Sequence, residues 1–195
     1  VLSVGLASVA IELERLGHNP PERGKNVFEV GDKVFHPVHG AGLVVEVKER
    51  RSLGNARRYY SIELLSQPKT LLMVPVGGAQ EIGLRPSMPP SQLNQVWSVL
   101  RDDPEALPTD HEQRYELLRD RLRGGDTMQI AAALRDMAWR EEQERRLTKQ
   151  GKRLYDESLT LLAGEIAIIQ DSDLSTAEAQ IIDTLRECVA SDPTA

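Results

Sequence analysis

The sequence predicts an α+β chain of two domains, a small antiparallel β-barrel followed by an all-α helical bundle. Three observations carry that expectation. Between Val30 and Leu84 the chain reads as short runs rich in β-branched and aromatic residues, cut by turn signals. From Pro89 onward the apolar residues recur with a helical period instead. Ahead of the first strand, Gly, Pro and Asn crowd residues 17–26 (GHNPPERGKN) in the manner of a linker. With 195 residues the chain has room for two small cores.

The elements follow in order. Leu2, Leu6, Val9, Leu13 and Leu16 fall at alternating spacings of four and three, one stripe of a short helix. This stretch has no basic leader and contains Glu12, so it makes a poor secretory signal. The chain opens on valine, as translation from an alternative start codon would. Residues 1–26 are therefore expected to be an extension that is either not made or dispensable. The next strand, Val34–Phe35, ends at His36–Pro37. Gly42–Lys48 forms a strand, Ser52–Asn55 a turn, Arg58–Leu65 a strand, Ser66–Lys69 a turn and Thr70–Val76 a strand, and a short run around Ile82–Leu84 closes the set. Pro75 lacks an N–H and marks an edge or a strand end. About five strands joined by tight turns suggest a barrel of SH3/Tudor type over residues 27–86.

Residues 87–195 read as helices. Leu93, Val96, Trp97 and Leu100 define the first, broken by Pro104 and Pro108. The second runs from about Thr109 to Arg123, with Tyr115, Leu118 and Leu122 inward, and Gly124–Gly125 end it. Asp126 with Gln129 caps a third that carries Ile130, Leu134 and Met137. Thr148 caps a fourth, whose stripe is Tyr155, Leu159, Leu162, Ile166 and Ile169. Ser175 and Glu178 form the capping box of a fifth, with Ile181, Leu185 and Cys188 inward. Trp97 and Trp139 sit among apolar neighbours and read as core.

Charge narrows the functional classes. The net charge is −6, but it is unevenly spread. Residues 1–104 hold 12 basic and 11 acidic side chains, residues 114–153 hold 11 and 7, and residues 154–195 hold 1 and 9. Because charges beyond about 10 Å are screened, the local excess of +4 in 114–153 fits a weak phosphate contact, not a protein that finds nucleic acid unaided. The lone Cys188 excludes an internal disulfide and points to a reducing, cytoplasmic setting. No apolar run approaches the roughly 18 residues of a membrane span.

Several motifs look like chemistry and fail on spacing. Gly17 and Gly24–Lys25–Asn26 are too far apart for a phosphate loop, and Asn26 replaces the magnesium-holding hydroxyl. His111–Glu112–Gln113–Arg114–Tyr115 begins like a zinc-protease helix, but Tyr115 stands where the second histidine belongs. Gly40–Ala41–Gly42 lacks the third glycine of a dinucleotide fingerprint. Asp171, Asp173 and Ser175 open like a calcium loop, yet Thr176 and Ile182 take its glycine and terminal glutamate places. His36 and His39 have no further His or Cys nearby. No nucleophile–base pair is visible, so the expectation is a protein without enzymatic activity, cofactor or metal.

Residues 28–42, FEVGDKVFHPVHGAG, resemble the opening of CarD/CdnL proteins, a barrel shared with the polymerase-interacting domain of the transcription–repair coupling factor. Tyr59–Tyr60, Val74–Pro75–Val76 and Gly83–Leu84–Arg85 fall where that module has an aromatic strand, a V-P strand end and a G-[LV]-R close. Leu134–Arg135–Asp136, Glu144–Arg145, Leu147–Thr148, Gly151–Lys152–Arg153 and Leu161–Ala167 (LLAGEIA) resemble the family's helical domain. The resemblance covers about residues 27–188.

It implies a bacterial transcription regulator whose barrel binds the β subunit of RNA polymerase and whose helical domain stabilises the promoter open complex at the upstream edge of the bubble. Arg50 matches a family arginine at the polymerase, with Met73, Val74 and Pro75 beside it; some relatives carry an arginine at the position of Met73. An edge strand of such a barrel can pair with a partner sheet. The family's minor-groove wedge is a tryptophan. Aligning Leu107–Pro108 and Arg114–Tyr115 puts His111 there, with less stacking surface, and a nearby basic position is Glu116. Arg114, Arg145, Lys149, Lys152 and Arg153 are the expected DNA contacts. The partners implied are polymerase and, weakly, promoter DNA, with the protein acting as a monomer. The alternative is a polymerase-docked interaction module with little or no DNA contact.

Overall fold

A computed structural model of the chain describes residues 27–52 and 55–190. The expected extension, the centre of the Ser52–Asn55 turn and residues 191–195 lie outside them. Five strands come first: β1 (Lys33–His36), β2 (Gly40–Ser52), β3 (Asn55–Leu64), β4 (Leu71–Pro75) and β5 (Arg85–Pro86). They form one antiparallel sheet in the order β4-β3-β2-β1-β5. Five helices follow: α1 (Leu93–Arg101), α2 (His111–Arg123), α3 (Thr127–Glu144), α4 (Lys149–Gln170) and α5 (Leu174–Ala190).

β1 shows how the two halves meet. Successive strand side chains leave opposite faces, and here both faces are covered. Val34 joins Phe28, Val44, Tyr60 and Ile62 inside the sheet's own core. Its neighbour Phe35 joins the helical core, with Leu118, Ile130, Leu162 and Ile166, and Ala41 of β2 goes with it. A strand buried on both sides has no polar alternation, which is why Val-Phe-His reads as a short apolar run.

β2 and β3 form a longer hairpin than the sequence pattern implies, 13 and 10 residues long. Their register shifts between Val44 and Glu46, a bulge at Val45 that bends the ladder. Gly42 has a steric reason to be glycine. A Cβ there would lie 2.6 Å from both the Glu63 carbonyl oxygen and Ile62 Cγ2.

Two sequence expectations need correction. Ile82–Leu84 is a turn and not a strand: after the 3-10 turn at Val76–Gly78 the Leu84 N–H donates to the Ala79 carbonyl at 2.9 Å, and Gly83 takes φ +80°. The fifth strand is Arg85–Pro86, paired with Phe35 and Val34. The last helix begins at Leu174, because the Asp173 carboxylate accepts from the Thr176 N–H at 2.8 Å. Asp173 thereby takes the capping role expected of Ser175. The caps at Asp126 and Thr148 form as the spacing predicts, accepting from Gln129 N–H at 2.9 Å and Gly151 N–H at 3.2 Å. Asp110 caps α2 through the N–H groups of Glu112 and Gln113.

The seam between sheet and helices is charged at its centre. Glu165, fully buried on α4, accepts from Arg85 Nη1 at 2.6 Å and Nη2 at 2.9 Å, from the Met88 N–H at 2.7 Å and from the Thr127 hydroxyl at 2.8 Å. The same Arg85 donates to the Gly125 carbonyl and lies 4.2 Å above the Phe35 ring. Lys33 bridges to Asp171 at 2.7 Å on the rim. Gly40 faces Leu161 and Gly164 faces Ala41, so small residues let α4 lie close on the β1–β2 turn.

His36, at the end of β1, is nearly buried, and its Nδ1 accepts from the Val38 N–H at 3.1 Å. Burial, with the neighbouring His39 adding to it, lowers its pKa to about 4. The unfolded chain therefore takes up a proton near pH 6.5 that the folded chain refuses, and stability present above pH 6.5 is lost as the pH falls toward 4. The thermal midpoint is expected to drop across that window. His36→Asn, whose Oδ1 can replace the Nδ1 acceptor, should flatten the drop; an equally steep fall in the variant assigns it to other groups.

Candidate functional site

The residues expected from the sequence to act fall mainly on two surfaces, and these lie on different elements. The first is the edge of the sheet. β4 pairs with β3 on one side only among the described residues. Leu64 N–H donates to the Thr70 carbonyl, and bonded and unbonded pairs alternate along an antiparallel ladder. Ile62–Leu72 and Tyr60–Val74 are then bonded pairs, while Leu71, Met73 and Pro75 turn their backbone groups to the open side. Pro75, which has no N–H, occupies an outward position, as that alternation requires. The Val74 side chain is fully buried in the sheet core, whereas Met73 and Pro75 are half-buried on the other face.

The far part of the β2–β3 hairpin is basic. Arg50 is exposed and stands directly opposite Arg57, also exposed. Like charges in register cost stability in a sheet, so this arrangement suits an acidic partner. Arg57 was not among the residues singled out from the sequence; the register, which the sequence alone does not fix, brings it to Arg50.

The second surface is a groove between the N-terminal ends of α2 and α4. His111, Tyr115, Arg119, Thr148 and Lys149 line it. A bond between the Tyr115 and Thr148 hydroxyls ties its floor. Arg119, Arg123 and Gln150 are shared with a second hollow that carries Arg153 and reaches Pro37, Val38 and Gly83 of the sheet half. Basic side chains thus run from His111 to the barrel, interleaved with Glu112, Glu116 and Asp120 in the first hollow and with Glu81 and Glu157 in the second. Arg119 and Arg123 were missed in the sequence reading, although their four-residue spacing on one helix face is visible there.

The expected DNA contacts do not all gather in this groove. His111 is exposed at the first turn of α2, and Lys149 and Arg153 are exposed one turn apart on α4. Arg114 departs from expectation. It is only 2% exposed, and its guanidinium donates to the carbonyls of Pro108 (2.7 Å) and Thr109 (3.1 Å) and meets His111 Nδ1 at 2.8 Å. With His111 Nδ1 as acceptor, the ring carries its proton on Nε2. Lys152 lies around the helix in another hollow, among Glu141, Glu142 and Tyr155. It bridges to Asp156 at 2.9 Å, a bond that holds its pKa above the ordinary lysine value. Arg145 is exposed at the end of α3 with φ +56°.

His36 and His39 stack with ring centroids 4.8 Å apart, and among the described residues no group of three or more His, Cys, Asp or Glu is placed to hold a metal ion. No helix among the described residues is long and apolar enough to cross a membrane.

A bent antiparallel sheet locked to a helical unit with a partly basic groove is a two-part architecture, and the matches of its two parts make the chain a transcription regulator. Residues 28–87 match the family described as the CarD-like/TRCF RID domain, and residues 95–183 match the CarD C-terminal domain. The chain belongs to the CarD-like family. It is also similar to the Bacillus subtilis (strain 168) protein described as "Putative transcription factor YdeB", 24% identical over 144 residues, which cover 74% of this chain and 93% of that protein.

Proposed function

We propose that this regulator docks on the β subunit of RNA polymerase through the open edge of β4 and the Arg50 end of the hairpin, and stabilises the promoter open complex by holding the α2–α4 groove against DNA at the upstream edge of the bubble. It acts as a monomer. The observation that carries the reading is the β4 edge, where Leu71 and Met73 offer backbone groups to an incoming strand. DNA contact without polymerase is weak, because Arg119, Arg123 and Lys149 are interleaved with three carboxylates. Docking makes that contact intramolecular, so a weak interaction suffices.

Met73→Pro tests the edge. Its N–H makes no bond to β3, so the substitution leaves the internal ladder intact, and Pro75 already holds an equivalent outward place. Binding to the β subunit is expected to weaken by about tenfold, from one lost hydrogen bond and the ring's bulk. Unchanged affinity sinks the edge-docking mode.

The reading as a docked interaction module with little DNA contact draws support from two placements: Arg114 is buried, and Lys152 is paired with Asp156. Open-complex lifetime under a competitor separates the two. His111→Trp is expected to lengthen it, since a larger ring stacks better at a base step. No change with His111→Trp together with no change on Lys149→Glu favours the module without DNA contact.

A further inference from the structure

Residues 102–110 connect α1 to α2 and deliver His111 to the groove, yet they contain no helix or strand. Backbone groups in such a segment still need partners, and here buried charges supply them. The Asp136 carboxylate of α3, with no exposed surface on its side chain, accepts from the Glu105 N–H at 3.0 Å. The same carboxylate holds two arginines: Arg135 through Nε (2.9 Å) and Nη2 (2.7 Å), and Arg121 of α2 through Nη1 (2.9 Å). Arg121 reaches on to the Glu105 side chain at 2.7 Å, and Arg135 Nη1 donates to the Val99 carbonyl in α1 at 3.2 Å. At the other end of the segment Arg114 holds the Pro108 and Thr109 carbonyls.

A buried ion pair is seldom more stabilising than apolar side chains of the same volume. What it adds is direction, because each hydrogen bond is satisfied in one arrangement. Asp136 and Arg121 each link α2, α3 and the connecting segment, and of the two it is Asp136 that also holds the segment's backbone, at the Glu105 N–H.

We propose that Asp136 is a positioning residue: through Glu105 and Arg121 it sets the path of residues 102–110, and so the place of His111 at the head of the groove. The second half of this statement rests on the groove being the DNA contact. Asp136→Asn keeps the shape and removes the charge that orders both arginines; Glu105→Gln, on an exposed side chain, removes only the outer ion pairs, to Arg121 at 2.7 Å and Arg135 at 4.0 Å, and leaves the fold secure. Hydrogen exchange at the Glu105 amide and the NMR signals of the His111 ring report the segment directly. Exchange at Glu105 should speed up at least about tenfold in Asp136→Asn, consistent with loss of one charged hydrogen bond. The His111 signals should shift in both variants, and the amides of β2 and β3 should keep their protection. A Glu105 amide as protected as in the wild type, or an unmoved His111 ring, overturns the proposal.

Open-complex lifetime then tests the consequence, with Lys149→Glu as the reference for the groove. If Lys149→Glu shortens the lifetime and Asp136→Asn, with His111 displaced, does not, the positioning role is overturned. If Lys149→Glu has no effect, it is the groove reading that fails, and the exchange and ring signals alone decide whether Asp136 places the segment.

Discussion

Replacing Glu165 with alanine is expected to lower the free energy of unfolding by about 3–5 kcal/mol, the range for breaking a buried charge pair from one side. The carboxylate serves four donors: both terminal nitrogens of Arg85, the Met88 N–H and the Thr127 hydroxyl. Alanine leaves the Met88 N–H and the Thr127 hydroxyl without this acceptor in a site closed to water, while Arg85, partly exposed, can turn outward. A urea titration should show the midpoint fall with little change in slope. Glu165→Leu combined with Arg85→Met should recover part of the loss, because an apolar pair of similar volume does not leave a charge behind. A single alanine variant within about 1 kcal/mol of the wild type would mean that water replaces the carboxylate and that the seam is held mainly by the apolar packing of Phe35 and Ala41.

Arg50→Glu should weaken association with the polymerase β subunit by about 2–4 kcal/mol, through a lost charge contact and new repulsion against an acidic partner. Within the chain the same change relieves a repulsion, since a carboxylate then stands opposite Arg57. Thermal stability should therefore hold or rise slightly while binding falls, a combination that separates an interface role from a folding role. Pull-down of the β subunit is the direct measurement. Full retention by a stable Arg50→Glu protein removes the hairpin from the interface and leaves the β4 edge to carry it.

How much of this was legible depended on whether the signal was local. The change from strand to helix near Pro89, the caps at Asp126 and Thr148, and the strand end at Pro75 are written within a few residues of where they act. Ile82 misled because an apolar run this short reads as a strand, and only the return of the Leu84 N–H to Ala79 shows the turn. Arg114 looks like any first-turn surface arginine; its burial follows from the curl of Pro108 and Thr109 back over it. Lys152 and Arg153 are adjacent in sequence, but one residue turns a helix by about 100°, and they face different hollows. Glu165 carried a local signal that the sequence analysis did not use. A lone carboxylate inside Leu161–Ala167, where every other residue is apolar, announces a buried partner, although not that the partner is Arg85. Nor could sequence show that this stretch and Gly40–Ala41–Gly42, so far apart along the chain, lie against each other.

The two burials of β1 have a thermodynamic corollary. A slip of one residue in its pairing would exchange the faces, sending Phe35 toward the sheet core and Val34 toward the helices, so both cores depend on one register, Val34 opposite Gly42 and Phe35 opposite Ala41. Neither half can then melt far without withdrawing a wall from the other. Two matched family segments need not mean two melting units: the shared strand predicts a single unfolding transition for the described chain, and a cut between Pro86 and Ser87 would leave Phe35 and Arg85 facing water on one fragment and Glu165 without its cation on the other.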